Sequence, residues 1–134
     1  MDEPGDHEVA GLLAQEAGDL LLAVRDEGLS AGRAPWMVQD EGDRRAHEHL
    51  VARLAELRPE DAVLSEEGRD DSARLGAERT WIVDPLDGTR DFARPGSVEW
   101  AVHVALVVDG RPIAAAVALP ASGALYGTGL SATT

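Results

Sequence analysis

The sequence VEWAVHVALVVDGRPIAAAVAL, Val98–Leu119, contains a strong strand signal. Apolar residues alternate along its first part. One face of that strand would carry Val102, Val104, Leu106 and Val108. Asp109-Gly110 is a typical hairpin turn, and Ile113–Leu119 would then supply the partner strand. The stretch predicts a β-hairpin with one face turned toward a core.

Three shorter strands are predicted around this hairpin. Ala62–Leu64 forms one, Thr80–Val83 forms a second, and Leu125-Tyr126 adds a short last strand. Pro85 is expected to end the second strand, because proline cannot donate to a strand ladder. The polar segment 69–78 between the first two strands is predicted to be a loop with one helical turn.

Two amphipathic helices are predicted before the first strand. Apolar residues recur at helical spacing over Glu8–Glu27, and Gly28 is expected to stop that helix. A loop rich in Gly, Ala and Pro follows from Leu29 to about Glu41. The second helix is expected to start at Gly42-Asp43 and to run to Leu57, with Asp43 at its start.

The order of elements, two helices and then mostly strands with short turns, predicts the fold class. We expect an α+β domain with two N-terminal helices packed on a largely antiparallel sheet. A chain of 134 residues fits one domain. We place that domain at residues 1–126 and expect an irregular tail over 127–134.

The composition limits the partners of the protein. Twelve basic and 25 acidic residues give a net charge of −13, which repels nucleic-acid polymers and anionic membranes. The apolar runs are too short to span a bilayer and the N-terminus lacks a signal-peptide pattern, so a cytoplasmic location is expected. The absence of cysteine excludes disulfides and thiolate metal sites.

A negative surface would also repel a phosphorylated substrate unless cations lie between the two. Four acidic residues stand at predicted element ends or turns: Asp43, Glu66, Asp84 and Asp87. In Asp84-Pro85-Leu86-Asp87, two carboxylates and the Leu86 carbonyl make an oxygen-rich patch of the kind that hard cations prefer. The sequence therefore indicates a divalent metal site.

The next residues indicate an anion site. Asp87-Gly88-Thr89 is expected to open a short helix through Phe92 with Asp87 as its N-cap. Free backbone amides at that end would bind a phosphate, and Gly88 would let the phosphate come close. Two metal ions beside it could hold a nucleophilic water and stabilise the leaving oxygen.

Each feature alone has a simpler explanation. Asp-Pro and Asp-Gly are common turn dipeptides, and Glu66-Glu67 is most often a solvated surface pair. His103 is more often a packed or hydrogen-bonded histidine than a ligand. The other residues considered have structural explanations: we expect His47 and His49 at the surface and Trp81 in the core. Arg90 and Arg94 follow the predicted phosphate loop and could contact substrate, but a salt bridge with a nearby acid is the more common role.

The joint pattern is more specific. Asp43, Leu64-Ser65-Glu66-Glu67 and the run Trp81–Thr89, in that order, resemble the inositol monophosphatase superfamily of lithium-sensitive, magnesium-dependent phosphatases. Asp84–Phe92 and Trp100–Leu106 are most similar to its CysQ-type branch of 3′(2′),5′-bisphosphate nucleotidases. The resemblance implies the N-terminal part of that family's layered fold, with Mg²⁺ as the cofactor.

The resemblance also implies roles for individual residues. Glu66 and Asp84, with the Leu86 carbonyl, would ligate a first Mg²⁺, and Asp84 and Asp87 would ligate a second. Glu66 and Thr89 would orient the attacking water, with Asp43 bonded to Thr89 or to the water shell of a third ion. The implied substrate contacts are Glu66, Leu86, Asp87, Gly88 and Thr89, the amides of the last two holding the phosphate.

The implied activity is magnesium-dependent removal of the 3′-phosphate from 3′-phosphoadenosine 5′-phosphate-type nucleotides. Family members are longer, and their second half supplies a Trp-Asp motif that is absent from this sequence. We therefore expect an N-terminal half that needs a homodimer partner or the missing C-terminal half, and that associates with itself when isolated. The alternatives are a non-catalytic module that binds metal or phosphate, and a phosphatase for inositol monophosphate or fructose 1,6-bisphosphate.

Overall fold

A computed structural model describes residues 4–65 and 78–129. Two long helices come first, α1 (Asp6–Ser30) and α2 (Pro35–Leu57). Five strands and one short helix follow in the order β1 (Ala62–Ser65), β2 (Arg79–Asp87), α3 (Thr89–Phe92), β3 (Ala101–Val108), β4 (Arg111–Leu119) and β5 (Ala124–Gly127). A single 3₁₀ turn, Pro120–Ser122, separates β4 from β5.

The five strands form one sheet in sequence order, β1-β2-β3-β4-β5. β1 and β2 run parallel, with Ala62 opposite Thr80 and Ser65 opposite Val83. Each of the other pairs is antiparallel. The predicted fold class, two helices on a largely antiparallel sheet, is confirmed.

Both long helices pack on one face of the sheet, α1 over β3 and β4 and α2 over β1 and β2. The buried sheet residues alternate with exposed ones, as the pattern of the hairpin predicts. The sheet contributes Trp81, Val83, Val102, Val104, Leu106, Ala114, Ala116 and Ala118 to the core. The buried alanines of β4 let α1 lie close to the sheet. Trp81 is a core residue, as predicted.

The opposite face of the sheet carries no helix among the described residues. We call the residues Ile82, Ala105, Ala115, Val117 and Tyr126 the open sheet face; they pair across neighbouring strands. Ile82 is 40% exposed and Tyr126 is 61% exposed. The described part of the chain therefore presents an apolar surface on this side.

The start of the second helix was predicted wrongly. α2 begins at Pro35 rather than Gly42, so the loop between the helices covers only residues 31–34. Pro35 suits the first helical position, where its missing N–H costs no hydrogen bond. Trp36 is 67% exposed, whereas Val38 in the same turn is buried and continues the buried stripe of the helix. Asp43 therefore lies inside α2 and not at its start.

The end of the first helix was also predicted wrongly, since α1 continues through Gly28 to Ser30. A Cβ at Gly28 would lie 2.8 Å from Cγ2 of Val38, so this glycine permits close packing of α1 against α2. Pro85 likewise does not end the second strand. It lies buried inside β2, at an irregularity where no ladder hydrogen bond is required of it.

The remaining strand boundaries are close to the predictions. β3 begins at Ala101 rather than Val98, and Asp109-Gly110 forms the predicted hairpin turn with positive φ at both residues. β5 reaches Gly127, and the Thr128 amide donates to the Ala115 carbonyl at 2.9 Å. Ordered contacts thus continue past the predicted boundary at residue 126. The predicted loop 69–78 lies outside the described residues except for Glu78. No described helix combines the length and the apolar character that crossing a bilayer requires.

Candidate metal and phosphate site

A β-bulge near the end of β2 places two carboxylates on the same side of the sheet. Asp84 pairs with His103, and the next pair along the ladder is Asp87 with Ala101. Residues directly opposite each other share a face, and His103 and Ala101 share one because they are two residues apart. Asp84 and Asp87 therefore lie on one face, although residues three apart on a regular strand would point to opposite faces. The face is the one that carries no helix.

The turn after the bulge depends on Gly88. Its backbone is left-handed, at φ 86° and ψ 43°, and a Cβ there would lie 2.6 Å from the Glu99 carbonyl oxygen. The turn leads into α3, and the Phe92 amide donates to the Gly88 carbonyl at 2.9 Å. The prediction that Asp87 caps this helix is wrong: Gly88 occupies the cap position. The Asp87 carboxylate instead lies 3.2 Å from Nε2 of His103.

Thr89 and Leu86 come together across the same turn. The Thr89 hydroxyl donates to the Leu86 carbonyl at 3.4 Å, a long hydrogen bond. The Leu86 side chain is 4% exposed and anchors the turn in the core. The turn therefore aligns the Thr89 hydroxyl with the carbonyl that was predicted as a metal ligand.

Asp43 reaches the neighbourhood of this turn through the packing of α2 against α3. Its neighbour Gly42 is buried beside the Phe92 ring, and Phe92 is the last residue of α3. One carboxylate oxygen of Asp43 is buried. Asp43 lies in the middle of α2 and not at the start of the helix, where the sequence predicted it.

Aromatic side chains that follow the turn pack against each other. The rings of Phe92 and Trp100 meet edge to face, with centroids 4.9 Å apart and an interplanar angle of 79°. The Arg25 guanidinium lies 5.2 Å from the centre of the Trp100 ring and donates to the Ser97 carbonyl at 2.9 Å. Arg25 was not identified from the sequence, since no pattern in α1 separates it from the other surface arginines.

β1 brings its C-terminal end to the same sheet edge as Asp84, because β1 and β2 are parallel and Ser65 pairs with Val83. Ser65 is 5% exposed, and its hydroxyl lies 2.8 Å from Nδ1 of His47 on α2. The prediction of His47 as a plain surface residue missed this contact. Glu66 follows Ser65 in the sequence and lies outside the described residues.

The donor chemistry of the described residues fits a hard cation, since the carboxylates of Asp84 and Asp87 and the Leu86 carbonyl are all oxygen donors. Within residues 4–65 and 78–129, however, no three His, Asp or Glu side chains are placed to hold an ion together. A bound ion would therefore also need the carbonyl, water or residues beyond the described ranges.

Residues 8–132 match the model of the inositol monophosphatase family. The chain belongs to this family. It is 54% identical over 114 residues to the 3′-phosphoadenosine 5′-phosphate phosphatase of Mycobacterium tuberculosis (strain CDC 1551 / Oshkosh), covering 81% of this chain and 42% of that protein. It is 34% identical over 123 residues to the 3′(2′),5′-bisphosphate nucleotidase CysQ of Escherichia coli (strain K12), covering 85% of this chain and 48% of that protein.

A solved structure shares the fold. Mycobacterium tuberculosis SuhB superposes with a TM-score of 0.74 at 33% identity, covering 97% of this chain and 47% of that one. The chain thus spans about half the length of each of these three relatives.

Proposed function

We propose that this inositol monophosphatase family chain carries the metal- and phosphate-binding part of a magnesium-dependent phosphomonoesterase. The proposed reaction is hydrolysis of the 3′-phosphate of 3′-phosphoadenosine 5′-phosphate-type nucleotides. The bulge that brings Asp84 and Asp87 to one face of the sheet is the observation that carries the proposal. The identity to proteins named for this substrate supports the choice of nucleotide.

The residues would have the following roles. Glu66 and Asp84 with the Leu86 carbonyl would hold one Mg²⁺, and Asp84 and Asp87 a second. Bound Mg²⁺ would supply positive charge that activates water and offsets the charge of the phosphate. Thr89, beside the Leu86 carbonyl, would orient the attacking water together with Glu66. Asp43 would hydrogen-bond to Thr89 or hold the water shell of a third ion.

The phosphate would contact the backbone amides of Gly88 and Thr89. Any side chain at position 88 would meet the Glu99 carbonyl and would require a left-handed backbone, so glycine is needed to form this turn. The binding energy of the pair of amides alone is modest because α3 has only four residues. Metal charge is therefore needed beside a protein surface with a net charge of −13.

The test is phosphate release from 3′-phosphoadenosine 5′-phosphate by the full chain, with and without Mg²⁺. We expect Asp84→Asn to lower the rate by at least about 100-fold, since even residues that only support a metal ligand account for 10–100-fold. Asp26→Asn, an exposed acid of α1, is the matched control and should leave the rate unchanged. Equal rates for the wild type and Asp84→Asn would contradict the proposal.

A second candidate is a module that binds metal or phosphate without turnover. The carboxylates of Asp84 and Asp87 and the Leu86 carbonyl are oxygen ligands for a cation, and this set supports metal binding without requiring turnover. Calorimetry that shows Mg²⁺ binding, together with no phosphate release, would support this candidate. Turnover by the wild-type chain would exclude it.

The substrate is tested by competition between phosphate esters. The proposal predicts faster release from 3′-phosphoadenosine 5′-phosphate than from inositol monophosphate or fructose 1,6-bisphosphate. The reverse order would move the function to a sugar or inositol phosphatase of the same family. The cytoplasmic location, the homodimer and the need for a separate C-terminal half stay predictions from the sequence.

A further inference from the structure

His103 lies next to both aspartates of the bulge in the sheet. Its backbone is paired across the strands with Asp84, and its Nε2 atom lies 3.2 Å from Oδ2 of Asp87. The imidazole therefore contacts one of the two aspartates that are proposed to bind metal. Nothing in the spacing of the sequence predicts this, because His103 and Asp87 meet only through the extra residue of β2.

The bulge is what makes the contact possible. In a regular ladder that starts at Asp84 opposite His103, the residue opposite Ala101 would be Leu86, and Asp87 would point into the helix-covered side. With the extra residue in β2, Asp87 turns to the side of His103. The same irregularity thus pairs the carboxylates and gives one of them an imidazole partner.

The chemistry of the two groups determines which of them donates the hydrogen bond. An ionised carboxylate only accepts hydrogen bonds, so Nε2 of His103 carries the hydrogen and donates to Oδ2 of Asp87. That bond occupies one oxygen and restricts rotation of the carboxylate, which leaves Oδ1 for a cation. His103 does not belong to any group of three His, Asp or Glu side chains placed to hold a metal in the described ranges.

We propose that His103 is a positioning residue that orients the Asp87 carboxylate for metal binding; this inference rests on the proposed function. Groups that hydrogen-bond to a metal ligand commonly tune metal affinity in this way. The side chains of His103 and Asp87 are 41% and 61% exposed, and exposed pairs contribute little to folding. Their proximity therefore matters for the metal rather than for stability.

The experiment titrates Mg²⁺, and separately Mn²⁺, into the full chain by calorimetry without substrate. His103→Ala should raise the dissociation constant of a metal site by about 10–100-fold. His103→Asn, whose amide still donates a hydrogen bond, should retain most of the affinity. His49→Ala is the matched control: His49 contacts Glu16 at 2.7 Å between the two long helices, away from the bulge, and should bind metal like the wild type.

Kinetics give a second measurement. In His103→Ala the Mg²⁺ concentration for half-maximal activity should rise while the KM for the nucleotide at saturating Mg²⁺ stays constant. Wild-type metal affinity in His103→Ala, with loss of binding in Asp84→Asn, would overturn the inference alone. A wild-type chain that binds neither metal would overturn both the inference and the proposed function. Equal loss in His103→Ala and His49→Ala would indicate a general effect of histidine removal and would also overturn the inference.

Discussion

Gly42 lies against the ring of Phe92: a Cβ at Gly42 would come within 2.7 Å of Cε2 and 3.0 Å of Cζ. This contact joins α2 to α3 next to Asp43. The absence of a side chain at position 42 therefore lets α2 approach α3 closely. Trp100 also packs against the Phe92 ring, which limits how far the ring can move.

Gly42→Ala is expected to destabilise the protein, because overpacking a core costs about 1–3 kcal/mol. Alanine gains up to about 1 kcal/mol over glycine in a helix interior, so the net loss is expected to reach up to about 2 kcal/mol. Gly11→Ala in α1 is the matched control, because a Cβ there meets nothing within 4 Å, and it should be neutral or stabilising. Urea denaturation measures both variants. Equal effects of the two substitutions would show that the Phe92 contact tolerates a methyl group.

Gly88→Ala tests the turn of the candidate site. The substitution meets both a left-handed backbone and the Glu99 carbonyl, so we expect it to destabilise the protein by more than the roughly 1–2 kcal/mol of the backbone alone. Gly96→Ala separates the two causes, since Gly96 has φ 79° but open space around it. In thermal denaturation, Gly88→Ala should have a lower melting temperature than Gly96→Ala. The same ranking is expected for Mg²⁺ affinity, and a reversed order would show that the turn does not depend on the close approach.

The sequence predicted the strands better than the helix ends. Alternation along Val102–Val108 and the Asp109-Gly110 turn are local signals, and local signals sufficed to define the hairpin. Near the start of α2, Val38 packs against Gly28 of α1, and this contact joins residues of different helices. A search for hydrophobic periodicity within one sequence segment cannot detect a contact between two helices.

For the candidate site too, local sequence patterns could be predicted and tertiary contacts could not. The joint pattern in the sequence was enough to indicate the family: Asp43, then Leu64-Ser65-Glu66-Glu67, then the run Trp81–Thr89. The bulge that turns Asp87 toward His103 was not predictable, because it depends on the register between β2 and β3. The role of Gly88 was predicted from its flexibility, whereas its cap position and its approach to Glu99 depend on tertiary packing.

The open sheet face is expected to make the chain associate with itself in solution, since an exposed apolar sheet surface favours contact between molecules. Ile82→Thr should shift the population toward monomers in light scattering across a concentration series. Leu12→Thr is the matched control: Leu12 is 41% exposed, close to the 40% of Ile82, but lies on α1. A monodisperse wild-type monomer, or an equal response of the two variants, would contradict the prediction.

The acid stability of the fold should depend on Asp6, which ties three elements together. Its Oδ1 atom accepts hydrogen bonds from Arg79 at 2.8 Å and from Arg58 at 3.1 Å. Arg79 also donates to Asp61, which in turn accepts from the indole of Trp81. The network joins the start of α1, the end of α2 and the start of β2.

Partial burial by itself raises the pKa of Asp6, but the hydrogen bonds and charges of Arg79 and Arg58 outweigh it and hold the pKa below its usual 3.8. A carboxyl with a lowered pKa stabilises the folded state above the unfolded pKa, and this contribution is lost as the pH falls through the folded pKa. Asp6→Asn should therefore cost on the order of 1 kcal/mol at pH 7. The difference from the wild type should shrink as the pH falls below the usual 3.8 and through the lowered pKa of Asp6. Urea denaturation at several pH values measures this difference, with Asp26→Asn as the control. A difference that does not shrink as the pH falls would show that charge pairing at Asp6 does not contribute.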